Sequence, residues 1–324
     1  MGISGDAVAK SLPALDRLNG SDSAARVGEM QVATHDGSFH ADEVFAIAAL
    51  GLLSEPVEVV RTRDPDLLAG ADLRVDVGFR YDPLAGDFDH HQRDFDAVRS
   101  NGVGYASFGL VWREFGTQVC AGDQEVADAV EEILVQAVDA NDTGQQITQA
   151  LIEGVRPMTV NAVIGGFNAR WDEDLTAEGE RERFDAAVAL ASGILAREIG
   201  SAAAGGRAVR IVRDAIATAK DPRVVTLPDN VPWKQIVVTE APEALFVIYP
   251  KRQGFGIETV PIRLGSFENR RDLPSAWAGL EDADLGRVTD VDDALFCHAK
   301  RFLAVARSRE GIEQLAALAL EERA

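Results

Sequence analysis

Asp87-Phe88-Asp89-His90-His91-Gln92 places two carboxylates and two adjacent imidazoles within six positions. The chain has five histidines, and four of them, His35, His40, His90 and His91, lie in its first third. Scattered surface histidines would not group in this way. Three further segments carry the same residue types: His35 with His40 and Asp42, then Asp76, then Asp139 or Asp142. Any one of them alone would read as a cap, a turn or a surface residue. Together they read as a metal site. Imidazole mixed with carboxylate oxygen, without thiolate, suits Mn²⁺, Fe²⁺ or Zn²⁺ at a catalytic centre better than a structural zinc. The set exceeds the needs of one ion. Two ions about 3.5–4 Å apart, sharing a carboxylate, form the arrangement used for in-line attack on phosphorus.

Segments so far apart in sequence meet only if the fold carries them to one place. Ordered structure should begin near Met30, with Gln31-Val32-Ala33 a strand that runs into His35. Ala41–Leu53 has Val44, Phe45, Ile47, Ala48 and Leu52 at helical spacing. Val57–Val60 is a second strand, Asp64-Pro65-Asp66 caps a short helix, and Leu73–Val77 is a third strand that stops at Gly78. Alternating strands and helices predict a parallel sheet covered by helices, with ligands at the carboxyl ends of its strands. His35 and Asp76 fall at such ends.

Ala106–Phe115 and Glu125–Ala140 read as helices. The alanine-rich stretch 177–220, broken only by Gly205-Gly206, reads as long helices joining two lobes. Beyond Arg223 the pattern turns strand-like at Val224–Leu227, Gln235–Val238, Leu245–Tyr249 and Gly256–Val260. A last strand at Ala294–Cys297 precedes a closing helix at Arg309–Glu321. The expected organisation is a loose extension over 1–29 with a helical turn at Ala7–Leu18, a catalytic domain over 30–215 and a smaller α/β domain over 216–324.

The net charge is −21, but it is unevenly spread. Residues 1–160 carry 27 acidic and 11 basic side chains, and residues 161–324 carry 26 and 21. Divalent cations would neutralise part of the acidic half, and the second half could meet a phosphate substrate. No run of about 20 apolar residues spans a membrane, no basic segment precedes an apolar one at the start, and Cys120 and Cys297 match no zinc or redox spacing. The expected setting is the cytoplasm, without a membrane partner.

Asp89-His90-His91 resembles the signature of the DHH phosphoesterase superfamily, which includes RecJ nucleases, small-oligonucleotide phosphodiesterases and family II inorganic pyrophosphatases. The segments Thr34–Glu43, Arg61–Asp64, Val75–Gly78, Asp89–Arg93 and Val138–Asp142 look like the MYG (melanocyte proliferating gene) family. So do Phe167–Trp171, Pro232-Trp233-Lys234, Ser266–Arg270 with Leu273-Pro274 and Trp277, and Phe296–Ala299. The resemblance covers nearly everything from residue 30 on.

It implies two α/β lobes with the active site in the cleft between them, and a manganese-dependent 3′-to-5′ exonuclease acting on RNA. Small phosphoesters such as pyrophosphate or a dinucleotide are the alternative substrates, and a non-catalytic nucleotide- or metal-binding regulator is the alternative of another class. Two divalent ions, Mn²⁺ foremost, with Mg²⁺, Zn²⁺ or Fe²⁺ as alternatives, would be the cofactors, and a homo-oligomer is admissible. By resemblance, His35, His40 and Asp76 would hold one ion. Asp42, Asp76, His90 and a carboxylate of the 139–142 segment would hold the other. His91 would face the phosphate, and Asp89 would orient an imidazole. Arg263, Arg270, Arg271, His298, Lys300 and Arg301 would grip the substrate, with Trp233, Trp277 or Phe255 stacking on a base. The chain departs from the family pattern after His298, where Ala299-Lys300-Arg301-Phe302 replaces a glycine-bearing stretch.

Overall fold

A computed structural model describes residues 30–53 and 56–321. The extension expected over 1–29, with its helical turn at Ala7–Leu18, lies outside the described residues. Two compact units divide at Ala202 and Ala203.

The first unit runs β1 (Met30–Thr34), α1 (Ala41–Leu53), β2 (Val57–Arg61), α2 (Pro65–Gly70), β3 (Leu73–Val75), β4 (Tyr81–Asp82) and β5 (Asp87–Phe88). It continues with α3 (Ser107–Val119), α4 (Gln124–Val130), a π-helical turn at Glu131–Val135, α5 (Gln136–Asp142) and α6 (Val160–Gly165). The sheet order is β2-β1-β3-β5-β4. Pairing is parallel from β2 through β5. Only the edge strand β4, a two-residue hairpin partner of β5, is antiparallel, so the sheet is mixed and not purely parallel.

The apolar side chains of α1 ring it almost entirely, and ten consecutive residues from Ala41 to Leu50 are buried, as expected of a helix apolar all round. It packs on α3, with the Phe45 and Phe108 rings 5.5 Å apart. Burying each such ring contributes about 1.5–3 kcal/mol.

α7 (Ala177–Ala217) is one unbroken 41-residue helix and passes from the first unit into the second. Gly205-Gly206 does not interrupt it, because each glycine costs only about 1 kcal/mol in a helix. By length and composition α7 would reach across a bilayer. In the fold Phe184, Ala187, Ala191 and Leu195 are fully buried, and Phe184 meets Phe39 edge-on at 5.3 Å.

The second unit adds β6 (Val224–Thr226), α8 (Lys234–Glu240), β7 (Phe246–Lys251), β8 (Gly254–Thr259), α9 (Asp282–Thr289), β9 (Ala294–Cys297), β10 (Leu303–Ala306) and α10 (Arg309–Glu321). Its sheet order is β6-β7-β8-β10-β9, parallel only between β6 and β7. Two sequence expectations change here. Gln235–Val238 is helical, with Val237 buried beside Trp233 and the half-buried Ile236 and Val238 packed against the same cluster; tertiary burial overrides β-branched propensity. Ala294–Cys297 is not the last strand, since β10 follows it and lies between it and β8.

Candidate metal centre

The four parallel strands end along one edge of the first sheet, and each hands the chain to a polar residue there. β1 is followed by His35, β2 ends at Arg61 and leads to Arg63, β3 is followed by Asp76 and β5 by Asp89-His90-His91. Register makes them neighbours. Ala33 pairs with Arg74, which sets His35 opposite Asp76, and Val75 pairs with Phe88, which sets Asp76 opposite Asp89.

Asp76 occupies the middle. Its Oδ2 lies 3.3 Å from His35 Nε2, and its Oδ1 lies 3.5 Å from His90 Nε2 and 3.3 Å from His91 Nδ1. Ser107 Oγ donates to Oδ1 at 3.0 Å. The residue adopts φ 57°, a left-handed conformation that Asp tolerates better than most L residues. The carboxylate leaves the strand end sideways, toward the histidines.

Three groups of side chains have ligand atoms within 4.8 Å of one another: His35, His40, Glu43 and Asp76; Asp76, His90 and His91; and His40, Asp42 and Asp142. Asp76 and His40 each belong to two of them. The fit to cations is supported by unpartnered atoms. Asp42 is fully buried and neither carboxylate oxygen receives a hydrogen bond. His90 Nε2 is likewise without a hydrogen bond, although it lies 3.2 Å from Asp142 Oδ2 and 3.9 Å from Asp42 Oδ2. A buried charge left unpaired is strongly unfavourable, and a nitrogen facing three carboxylates is a donor set for a divalent ion.

Burial alone would lower the proton affinity of His35, but bonds to Asp76 and Glu43 overcome it and raise the pKa to about 10. Burial opposes the rise at His90 too, where Asp142 and Asp76 carry it to about 9. Asp76 and Asp89 raise His91 to about 10. Burial acts against the Asp76 anion, and the three imidazoles outweigh it, holding Asp76 well below the usual carboxylate range. Asp42 moves the other way, pushed up by burial and by Asp76, Glu43 and Asp142.

A cation taken up here at pH 7 would therefore displace protons from His35 and His90. Metal uptake is expected to release at least two protons per chain, and affinity should rise as the pH rises toward 9. Calorimetric titration with Mn²⁺ in two buffers of different ionisation enthalpy reads this directly. An enthalpy independent of buffer would sink it.

The structure separates the two aspartates that the sequence left open. Asp142 faces His90 and His40, the latter at 4.0 Å. Asp139, fully buried, accepts from Arg99 Nη2 at 2.8 Å and from the Gly109 N–H at 3.0 Å. It belongs to none of the three groups of ligand atoms and stands instead in a buried ion pair with Arg99. Burial raises it to about 7 against the pull of Arg99. A Cβ on Gly109 would stand 1.8 Å from the Asp139 carboxylate, so only glycine fits there.

Sequence reasoning missed three contributors. Glu43 lies 3.1 Å from His35 Nε2 and accepts the His40 N–H at 2.9 Å. This is half of a capping box, and the His40-x-x-Glu43 spacing at a helix start was its available signal. Ser107 carried none. Asn168 holds both the N–H and the carbonyl of Phe39, at 2.9 and 2.7 Å, and so fixes the loop between His35 and His40. Asp89 takes the His91 backbone N–H at 3.0 Å and ring Nδ1 at 2.8 Å.

Residues 31–320 match the family model MYG1_exonuc, described as Uncharacterised protein family (UPF0160). The chain belongs to this family. The human MYG1 exonuclease is 32% identical over 90% of this chain and 86% of its own length. The MYG1 protein YER156C of Saccharomyces cerevisiae is 31% identical over 90% and 95%, and MYG1 protein C694.04c of Schizosaccharomyces pombe is 29% identical over 90% and 98%. No solved structure matches the chain. At the level of the family these names support a hydrolase of the nuclease or phosphoesterase type.

Three of the arginines expected to grip substrate, Arg270, Arg271 and Arg301, have partners within the second unit. Arg270 directs Nη1 at the carbonyls of Ala241 and Ala244, at 2.6 and 2.9 Å, and Nη2 at that of Val238, at 2.8 Å. It closes the end of α8, which the sequence takes for a strand. Arg301 pairs with Asp272 at 2.8 Å, and Arg271 reaches the Leu320 carbonyl at 3.4 Å. Trp233 and Trp277 are buried in two separate clusters and Phe255 packs on the second of these, so none stands free as a stacking surface. Arg263 and Lys300 are exposed. His298 and Lys300 line a cavity of about 730 Å³ with the fully exposed Phe267. The Lys300 N–H donates to His298 Nδ1 at 3.0 Å, which leaves Nε2–H as the donor of the neutral ring.

Arg270→Ala is expected to destabilise the second unit by about 2–3 kcal/mol, since several charge-assisted hydrogen bonds go at once. Arg270→Lys should not restore it, because a single ammonium nitrogen does not replace the two separated nitrogens that the planar guanidinium directs at three carbonyls. Urea unfolding measures this. Unchanged stability with weakened RNA binding would return Arg270 to the substrate.

Proposed function

We propose that the protein is a divalent-metal-dependent phosphodiesterase that removes nucleotides from the 3′ end of RNA or short oligonucleotides. The supporting observation is the convergence of His35, His90 and His91 on Asp76 beside the unpartnered carboxylate of Asp42. Two cations, Mn²⁺ foremost, would be held by His35, His40, Glu43 and Asp76 and by Asp42, Asp76, His90 and Asp142, where they supply charge stabilisation at the phosphate and a more acidic water.

The chain's own groups do the remainder. Asp76 holds three imidazoles in place, and Ser107 fixes its rotamer. Asp89 engages Nδ1 of His91, so that Nε2 of this half-exposed ring is the nitrogen left for substrate. As an imidazolium it carries a proton there for the departing 3′ oxygen: the oxygen of water joins phosphorus as one of the water's protons passes to solvent, the bond from phosphorus to the 3′ oxygen breaks, and the 3′ oxygen takes the proton of the imidazolium. A nucleic-acid substrate agrees with the name of the human relative, an exonuclease.

The test is a panel of 5′- and 3′-labelled oligoribonucleotides, pyrophosphate and a cyclic dinucleotide, each with Mn²⁺. Label at the 3′ end should appear first in mononucleotide. Cleavage of pyrophosphate alone would move the reading to a small-substrate phosphohydrolase, and saturable nucleotide binding without turnover would move it to a regulator.

A further inference from the structure

The metal centre opens, within the first unit, into a cavity of about 380 Å³. His35, Asp76 and His91 line it together with the apolar Pro65, Leu68 and Phe79. The volume lies inside the range of about 300–1,000 Å³ typical of small-molecule sites and is larger than a phosphate requires.

Phe79 is the unexpected part. Its side chain is held in the open, with the residue 71% exposed, and its backbone sits at φ 55°, where bulky L residues are rarely found. Neither feature benefits the fold. The backbone at Phe79 is anchored by a hydrogen bond from its N–H to Asp89 Oδ2 at 2.6 Å. The other oxygen of the same carboxylate holds Nδ1 of His91 at 2.8 Å. One buried carboxylate therefore anchors the backbone that carries an exposed aromatic ring and the imidazole that lines the same cavity. A phosphate beside the imidazole with a flat heterocycle against the ring is the ligand that uses both.

We propose that Phe79 is the stacking platform for the base of the 3′-terminal nucleotide, so that the cavity is a nucleoside 5′-monophosphate subsite. This rests on the exonuclease reading above. Arg63 is the one long polar side chain on the outer wall, and it is paired with Asp36. The subsite therefore grips the face of a base without reading its edge, and all four bases should be accepted, because every base has a π-face.

The experiment compares oligoribonucleotides ending in an ordinary or an abasic 3′ residue, with Mn²⁺, on the wild-type protein, Phe79→Ala and Phe79→Trp. The ratio of kcat/KM for the two ends is expected to fall about five- to hundredfold in Phe79→Ala and to be retained in Phe79→Trp. An equal loss on both ends, or no loss, overturns the platform. A second measurement needs no turnover: 2-aminopurine riboside 5′-monophosphate is titrated into the same proteins and its fluorescence followed. Quenching that disappears in Phe79→Ala and persists in Phe79→Trp supports the subsite, and quenching identical in all three overturns it. If the wild-type protein cleaves neither oligonucleotide, the exonuclease reading falls, while the fluorescence still decides the nucleotide site.

Discussion

Asp76→Asn is expected to reduce kcat/KM on an oligoribonucleotide by about a thousandfold or more. Charge stabilisation by a metal pair amounts to several kcal/mol, and each tenfold in rate corresponds to about 1.4 kcal/mol. Asparagine is the informative replacement because Asp76 stands at φ 57°. Asn accepts that conformation, whereas alanine would add backbone strain of about 1–2 kcal/mol to the loss of charge. Asn also keeps an oxygen for the Ser107 hydroxyl, so the turn should survive while the charge that His35, His90 and His91 face is gone. Metal per chain, measured by elemental analysis after equilibration with Mn²⁺, should fall with the activity, and His90→Ala should behave likewise. Full activity of Asp76→Asn in metal-defined buffer would show that the reaction does not pass through this centre.

The second large effect separates two aspartates three residues apart on α5. Asp139→Ala is expected to lower unfolding stability by about 3–5 kcal/mol, the usual consequence of stranding one member of a buried ion pair. The value should lie toward the lower end, since Glu131 and the Gly104 carbonyl still engage Arg99. Metal affinity of whatever folded protein remains should be nearly unchanged. Asp142→Ala should do the reverse. Its stability should stay within about 1 kcal/mol of wild type, and its Mn²⁺ affinity should drop by more than the ~10–100-fold typical of a residue that only supports a ligand. Denaturant unfolding and metal titration on both variants give a crossed pattern. The opposite crossing would make Asp139 the ligand.

Much of the first unit was legible as local pattern. Strand, loop and helix from Met30 to Leu53, and the arrival of His35 and Asp76 at strand ends, follow from hydrophobic period and turn residues that neighbours in sequence determine, whereas β5, which delivers Asp89, is two residues long and leaves no such pattern. The residue types of the centre were legible for the same reason, since imidazole and carboxylate without thiolate is a property of composition. Partner choice was not. Asp139 and Asp142 offer the same chemistry, and only the fold brings Arg99, forty residues away, and Gly109 onto the first. Glu43 looked like an ordinary first-turn residue until the fold brought His35 onto it. Arg270 looked like a phosphate ligand until the helix at Lys234–Glu240 presented its last carbonyls to it. The sequence by itself determined which elements form and which donors the protein carries. The tertiary structure decided which donors meet, because a side chain's partner is set by register and packing between segments far apart in the chain, and a local pattern carries no record of that distance.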